Sequence, residues 1–189
     1  MIGLHSSFAA SVHGVSARLP WRLLVRPMTA DDASSVAGWR YRDWWSVYDL
    51  MSPAGILDEL NLYWAVTDTS GALAGFVCVE AAARVQGLDA DARFVDVGVG
   101  MDPDLVGQGI GPVFGEAVLD HVGRLCPEKS TRAVIQAWNV RSQRFALKQG
   151  FIDVGELAST QGRRQVHYRI LVKTLASHRT PVQAASVVE

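Results

Sequence analysis

The sequence predicts an α/β domain, a mixed sheet with helices packed on it. Three observations carry this. Short valine-rich runs are bounded by turn residues. One long stretch places its apolar residues at helical spacing behind a glycine-rich turn. Helix-start signatures recur between the strand candidates.

In chain order, Leu23 to Pro27 reads as a short first strand. Thr29-Ala-Asp-Asp32 is a helix start, a threonine cap with an acidic residue three positions on, and the helix extends to about Arg40. Ser52-Pro53 opens a second helix, serine as cap and proline in the first turn, with Ile56, Leu57 and Leu60 as its apolar side. Leu62 to Thr67 and Ala72 to Glu80 form a hairpin about the turn Asp68-Thr-Ser-Gly71. After a polar loop over 83–92, Arg93 to Met101 is the next strand, stopped by Pro103. Ile110, Val113, Phe114, Ala117, Val118 and Val122 then make one continuous helix face, with Pro112 in the first turn. Thr131 to Trp138 is a strand. Asn139 caps a helix ending at Lys148 or Gln149, with Gly150 placed for its C′ position. Phe151–Leu157 and Val166–Val172 are the last strands.

Composition narrows the function. The 189 residues are 49% hydrophobic and 20% charged, which suits one domain with a buried core, over 21–174. Residues 1–20 read as a flexible arm and 175–189 as a tail. A net charge of -1 gives no broad basic face, so nucleic acid is not expected as a partner. Cys78 and Cys126 fit no metal or disulfide pattern, and the five scattered histidines form no ligand pair, so no metal is expected. There is no membrane-length apolar run and no signal-peptide pattern, which makes the cytoplasm the default location.

The informative segment is Asp102-Pro-Asp-Leu-Val-Gly-Gln-Gly-Ile-Gly111, where a strand stops, a glycine turn follows and a helix begins. Glycines let the backbone bend sharply and approach a ligand, and the free N–H groups of the helix start suit a pyrophosphate. A ligand-free connection is the alternative. No Gly-Lys-Ser/Thr is present for a Walker loop. A dinucleotide fingerprint fails too, since its third glycine falls on Pro112 or Phe114 according to the starting glycine.

These residues resemble the acyl-CoA motif of the GNAT family, Arg/Gln-x-x-Gly-x-Gly/Ala, which reads here Val106-Gly107-Gln108-Gly109-Ile110-Gly111. Asn139-Val-Arg-Ser142 followed by Gly150-Phe151 is similar to the family's second signature, at a similar separation. The likeness runs over roughly residues 22–173. It also resembles a bacterial subgroup with Asp-Val-Gly-x-Gly-Met before the turn, here Asp96 to Met101, and a Trp-Arg-Tyr segment, here Trp39-Arg40-Tyr41. The resemblance implies a mostly antiparallel sheet of about six to seven strands flanked by about four helices, splayed between the fourth and fifth strands. It implies acetyl-CoA as cosubstrate, with pantetheine in the splay beside Val99 and Met101. The pyrophosphate would rest on the N–H groups of Gly107, Gln108, Gly109, Ile110 and Gly111, in the turn that Val106 begins, with Asn139 and Ser142 beside the cofactor arm. For Asn139 a plain helix cap is an equal reading.

Two departures stand out. Val106 replaces the usual Arg/Gln, and Ala146 occupies the position where many members carry a tyrosine acid; Tyr168 is a substitute to consider. Asp96 and Glu80 are the candidate bases, on strands expected to line the acceptor cleft. Burial would raise the pKa of Asp96. The competing readings are a hydrogen-bonded structural carboxylate for Asp96 and a solvated strand end for Glu80. A strand N–H at Val99 or Met101 would be the oxyanion donor. Five aromatics in ten residues, from Trp39 to Tyr48, read as part core and part acceptor pocket, with Trp39, Tyr41, Trp44 and Tyr48 as the pocket candidates.

The leading expectation is an N-acetyltransferase acting on a primary amine of a small molecule, peptide or protein by direct attack in a ternary complex. A non-catalytic acyl-CoA sensor and a purely structural domain are the alternatives. A homodimer is left open.

Overall fold

A computed structural model describes residues 22–162 and 164–174, so the expected arm and tail lie outside the described residues. Seven strands form one sheet: β1 (Leu24–Pro27), β2 (Tyr63–Thr67), β3 (Leu73–Val79), β4 (Phe94–Met101), β5 (Ser130–Gln136), β6 (Ile152–Gln161) and β7 (Arg164–Lys173). Their order is β1-β2-β3-β4-β5-β7-β6. Every pairing is antiparallel except β4 with β5. The helices are α1 (Ala30–Ala37), α2 (Ala54–Leu57), α3 (Gly111–Leu125) and α4 (Val140–Lys148).

Strand alternation sorts side chains onto two faces. Val66, Val77, Val79, Val95 and Val97 meet Phe114, Val118 and Val122 of α3 and Ala146 of α4. On the opposite face Tyr63 and Phe76 meet Met28, Ala33, Val36 and Ile56, which brings α1 and α2 onto the sheet. The anticipated α3 face is the one buried, with Ile110 and Phe114 each 1% exposed.

The α1 cap forms as read. Thr29 Oγ1 accepts from the Asp32 N–H, and the Asp32 carboxylate accepts from the Thr29 N–H. Arg26 donates twice to Asp32, and this, more than any other contact, draws its pKa down to about 2. Two boundaries are corrected. α1 ends at Ala37 rather than Arg40. α2 is a single turn begun by Pro53, whose helical φ of -76° takes the cap position assigned to Ser52.

His121 on α3 lies 5.1 Å from the Trp64 ring, and its buried Nε2 has no partner among the described residues. Burial first, and then Arg124, lowers its pKa below 6.5. The folded chain therefore binds this proton less readily than the unfolded chain. His121 leaves stability intact above the unfolded value, and stability declines as pH falls through it. His121→Leu should flatten the dependence of the melting midpoint between pH 7 and 5 (~2 pH units); an unchanged slope would assign that dependence elsewhere.

Candidate active site: a splayed sheet beside a glycine turn

The parallel ladder between β4 and β5 covers only Phe94↔Ser130, Val95↔Thr131 and Asp96↔Arg132. Beyond it the strands part, while β4 stays paired to β3 as far as Met101. Asp102 N–H donates to Ala74 O, so the alternation of that antiparallel ladder turns the amide groups of Val97, Val99 and Met101 toward β5. By the same rule Ala137 N–H, donating to His167 O, leaves those of Val134 and Gln136 facing β4. Val97 N–H is taken up by the last rung of the parallel ladder, and the carbonyls of Met101 and Gln136 accept from Tyr41 and from Asn139 and Gln143, which leaves the N–H groups of Val99, Met101, Val134 and Gln136 along the two edges of one gap. Val99 is 45% exposed in it.

The gap opens onto the glycine turn. Gly107 (φ +86°) and Gly109 (φ +82°) alternate with Gln108 ahead of Ile110 (φ -80°), a backbone that turns successive N–H groups toward one concavity. A Cβ at either glycine would meet no atom within 4 Å, so the dihedral, and not crowding, demands glycine there. Gln108 N–H donates to Leu105 O, and its side chain folds back to Asp104 O. The N–H groups of Gly107, Gly109, Ile110 and Gly111 donate to no acceptor among the described residues. No side chain caps α3. Val106 is half-buried and adds no polar group. Open space over four unspent donors at a helix start fits a pyrophosphate.

A short 3-10 helix, Asp43–Tyr48, spans the mouth of the gap. Tyr41 Oη donates to Met101 O at 2.7 Å on the β4 side, and Asn139 Nδ2 donates to Tyr48 Oη at 2.8 Å on the β5 side. Asn139 is 4% exposed and its Oδ1 accepts from the Ser142 N–H, so it is indeed a cap, with its amide nitrogen turned to Tyr48. Ser142 is half-buried behind it. Burial, and then the carboxylates of Asp102 and Asp49, raise Tyr41 to about 12. Tyr41→Phe should cost roughly 0.5–1.5 kcal/mol of stability, the net worth of one hydrogen bond. Urea denaturation would read it, and no loss would mean that the segment is not held on the β4 side.

Only some of the anticipated pocket residues line this mouth. Tyr41 and Tyr48 do. Trp39 instead stacks on Phe76, 6.1 Å between centroids, as part of the α1–α2 core. Trp44 is 85% exposed on the outer side of the 3-10 turn. Trp45 stands closer, 5.3 Å from the Trp138 ring, with Arg141 4.6 Å over its face. Neither Trp45 nor Trp138 was singled out from the sequence. A 3-10 turn has three residues per turn, which places Trp45 and Tyr48 on one side, and that register was the available signal.

The two carboxylates read as candidate bases both lie in a network of ion pairs. Asp96 is 2% exposed, and both its oxygens face cations: Arg132 Nε at 2.6 Å, and Arg84 Nε at 3.0 Å as an ion pair off the line of a good hydrogen bond. Arg132 also donates to Asp89 O. Glu80, at φ +54°, pairs with Lys129 at 3.0 Å and Arg84 at 3.5 Å. This network sits at the vertex, where the ladder ends, and fastens the closed end of the splay. Both oxygens of Asp96 are thus engaged in the buried network, while Glu80 is partly exposed and holds one close partner, Lys129.

A family model described as an acetyltransferase (GNAT) domain matches residues 22–152. The chain belongs to the GNAT acetyltransferase family. An acetyltransferase of this family from Bacillus anthracis is similar in structure, with a TM-score of 0.63 and 16% identity over 80% of this chain and 93% of that one. A spermidine/spermine N-acetyltransferase from Vibrio cholerae gives a TM-score of 0.58 and 16% identity over 80% and 91%. A structure provisionally named a phosphinothricin N-acetyltransferase gives 0.58 and 19% over 82% and 99%. At these identities the likeness shows the fold. No curated protein matches the chain. Among the described residues no helix is long and apolar enough to cross a membrane, and no group of three or more side chains is placed to hold a metal.

Proposed function

We propose that this GNAT protein is an acetyl-CoA-dependent N-acetyltransferase that acts on a primary amine of a small molecule, peptide or protein by direct attack in a ternary complex. One observation carries the reading: a gap edged by the N–H groups of Val99, Met101, Val134 and Gln136 runs directly into four unspent N–H groups at the start of α3. The first suits an amide-bearing arm lying as an extra strand, the second an anion.

When bound, acetyl-CoA supplies an activated acetyl group. Gly107, Gly109, Ile110 and Gly111 hold its pyrophosphate through their N–H groups, and Val99 and Met101 border the arm. Val99 N–H, preorganised by the β3–β4 ladder, takes the oxyanion role. Tyr41, Tyr48, Trp45 and Trp138 wall the mouth and orient the amine by apolar contact. The proton lost by the amine is not assigned to Asp96 or Glu80, which are engaged by Arg132 and Arg84 and by Lys129. It passes to water at the mouth. Structures named for spermidine acetylation illustrate the class of acceptor this fold can host.

Ala146, 4% exposed in the core, leaves α4 without an acidic hydrogen at that position, and this favours a second reading, a non-catalytic acyl-CoA-binding module. One assay separates the two. Acetyl-CoA is offered with polyamines, amino acids and peptides, and free thiol is followed. Saturable, amine-dependent release is expected. Tight acetyl-CoA binding without release across the panel would support the sensor instead.

A further inference from the structure

Resting on the acetyl-transfer reading, we propose that Tyr48 is a catalytic residue whose Oη hands a proton to the departing sulfur at the mouth of the splay.

Asn139 Oδ1 accepts from the Ser142 N–H, which fixes the amide: its oxygen points into α4 and its NH2 points out. Asn139 Nδ2 therefore donates to Tyr48 Oη at 2.8 Å, and the phenol oxygen is the acceptor in that contact. The Tyr48 proton is left with no acceptor among the described residues. Tyr41, the other phenol at the mouth, has its proton committed to Met101 O. Tyr168 accepts from Gln161 but is 4% exposed, whereas Tyr48 is 37% exposed and reaches the mouth. α4 presents Phe145 and Ala146, neither with an acidic hydrogen. Tyr48 is thus an oriented, accessible hydroxyl with its hydrogen unspent, set beside the open end of β5 by Trp45 (6.4 Å) and Trp138 (5.9 Å). Burial raises its pKa above the usual phenol value, so the hydrogen is present throughout the neutral range.

The chemistry needs one such group. The amine nitrogen forms a bond to the carbonyl carbon, the carbon–sulfur bond breaks, and the electron pair leaves on sulfur. Tyr48 Oη protonates that sulfur and regains a proton from the acetylated nitrogen through water. The net change is one proton moved from nitrogen to sulfur.

Tyr48→Phe keeps the ring contacts and removes only the hydroxyl. Expected are a fall in kcat of roughly 10²-fold, the scale of general acid catalysis, a solvent deuterium isotope effect on kcat in the wild type that the Phe variant loses, and an unchanged thermal shift with free CoA. Should the Phe variant lose its cooperative melting transition, a fluorinated tyrosine at position 48 keeps the hydroxyl and should turn over within a few-fold of wild type. Wild-type kcat in a folded Phe variant, or a lost CoA shift with kcat intact, would overturn the proton-donor role alone. A wild-type chain without any turnover would overturn this role and the acetyltransferase reading together.

Discussion

Gly109→Val is expected to abolish saturable acetyl-CoA binding while the chain still folds. The φ of +82° at Gly109 is a left-handed conformation that a β-branched residue adopts at a cost of about 1–2 kcal/mol. The Cβ has open space, so the domain can tolerate the side chain or let the turn relax. Either outcome spoils the site. A retained turn carries a methyl-bearing side chain over the N–H cradle, and a relaxed turn points those N–H groups elsewhere. Gly107→Val, at φ +86°, should act alike. Calorimetric titration reads the effect as a loss of roughly 100-fold or more in affinity, about 2.7 kcal/mol. Gly123→Val, on the exposed side of α3 with no atom within 4 Å of its Cβ, is the control and should bind normally. Undiminished affinity in Gly109→Val would remove the turn from the cofactor site.

The second large effect is on stability. Asp96→Ala leaves Arg132, whose side chain is 9% exposed, buried without its counter-ion, and should destabilise the fold by about 3–5 kcal/mol. Because the pair closes the vertex of the splay, loss of the ladder at Asp96↔Arg132 should accompany the change. Denaturant unfolding measures the first, and amide exchange at Val97 and Arg132 the second. A variant as stable as wild type but without turnover would restore Asp96 to the role of a base.

What could be read from the sequence follows the range of the interactions. The Thr29–Asp32 box, the Asn139 cap, the glycine turn and the apolar face of α3 depend on contacts within a few residues, and the chain writes them locally. Asp96 belongs to the opposite case. Its partners lie thirty-six residues on, at Arg132, and twelve back, at Arg84, so nothing local to this apolar strand marks the carboxylate as an ion-pair partner. The aromatic run failed for a different reason. Trp39 continues the α1 face into the core, but Asp43 breaks the path at φ +53° and starts a 3-10 turn. That change of period decides which ring faces the gap, and it exchanges Trp44 for Trp45. The last hairpin is longer than expected: Ser159 to Gln161 are polar and carry no apolar alternation, yet they pair with Val166, Gln165 and Arg164.

The most direct test of the cosubstrate is the thermal unfolding midpoint across concentration series of acetyl-CoA, free CoA and NAD. A ligand at ~100 times its dissociation constant adds about 2.7 kcal/mol to the folded state, well within the reach of a melting curve. A saturable rise with acetyl-CoA and CoA, absent with NAD and absent for both CoA species in Gly109→Val, is the predicted result. A midpoint indifferent to either CoA species would contradict it and leave the splayed strands and the glycine turn as architecture alone.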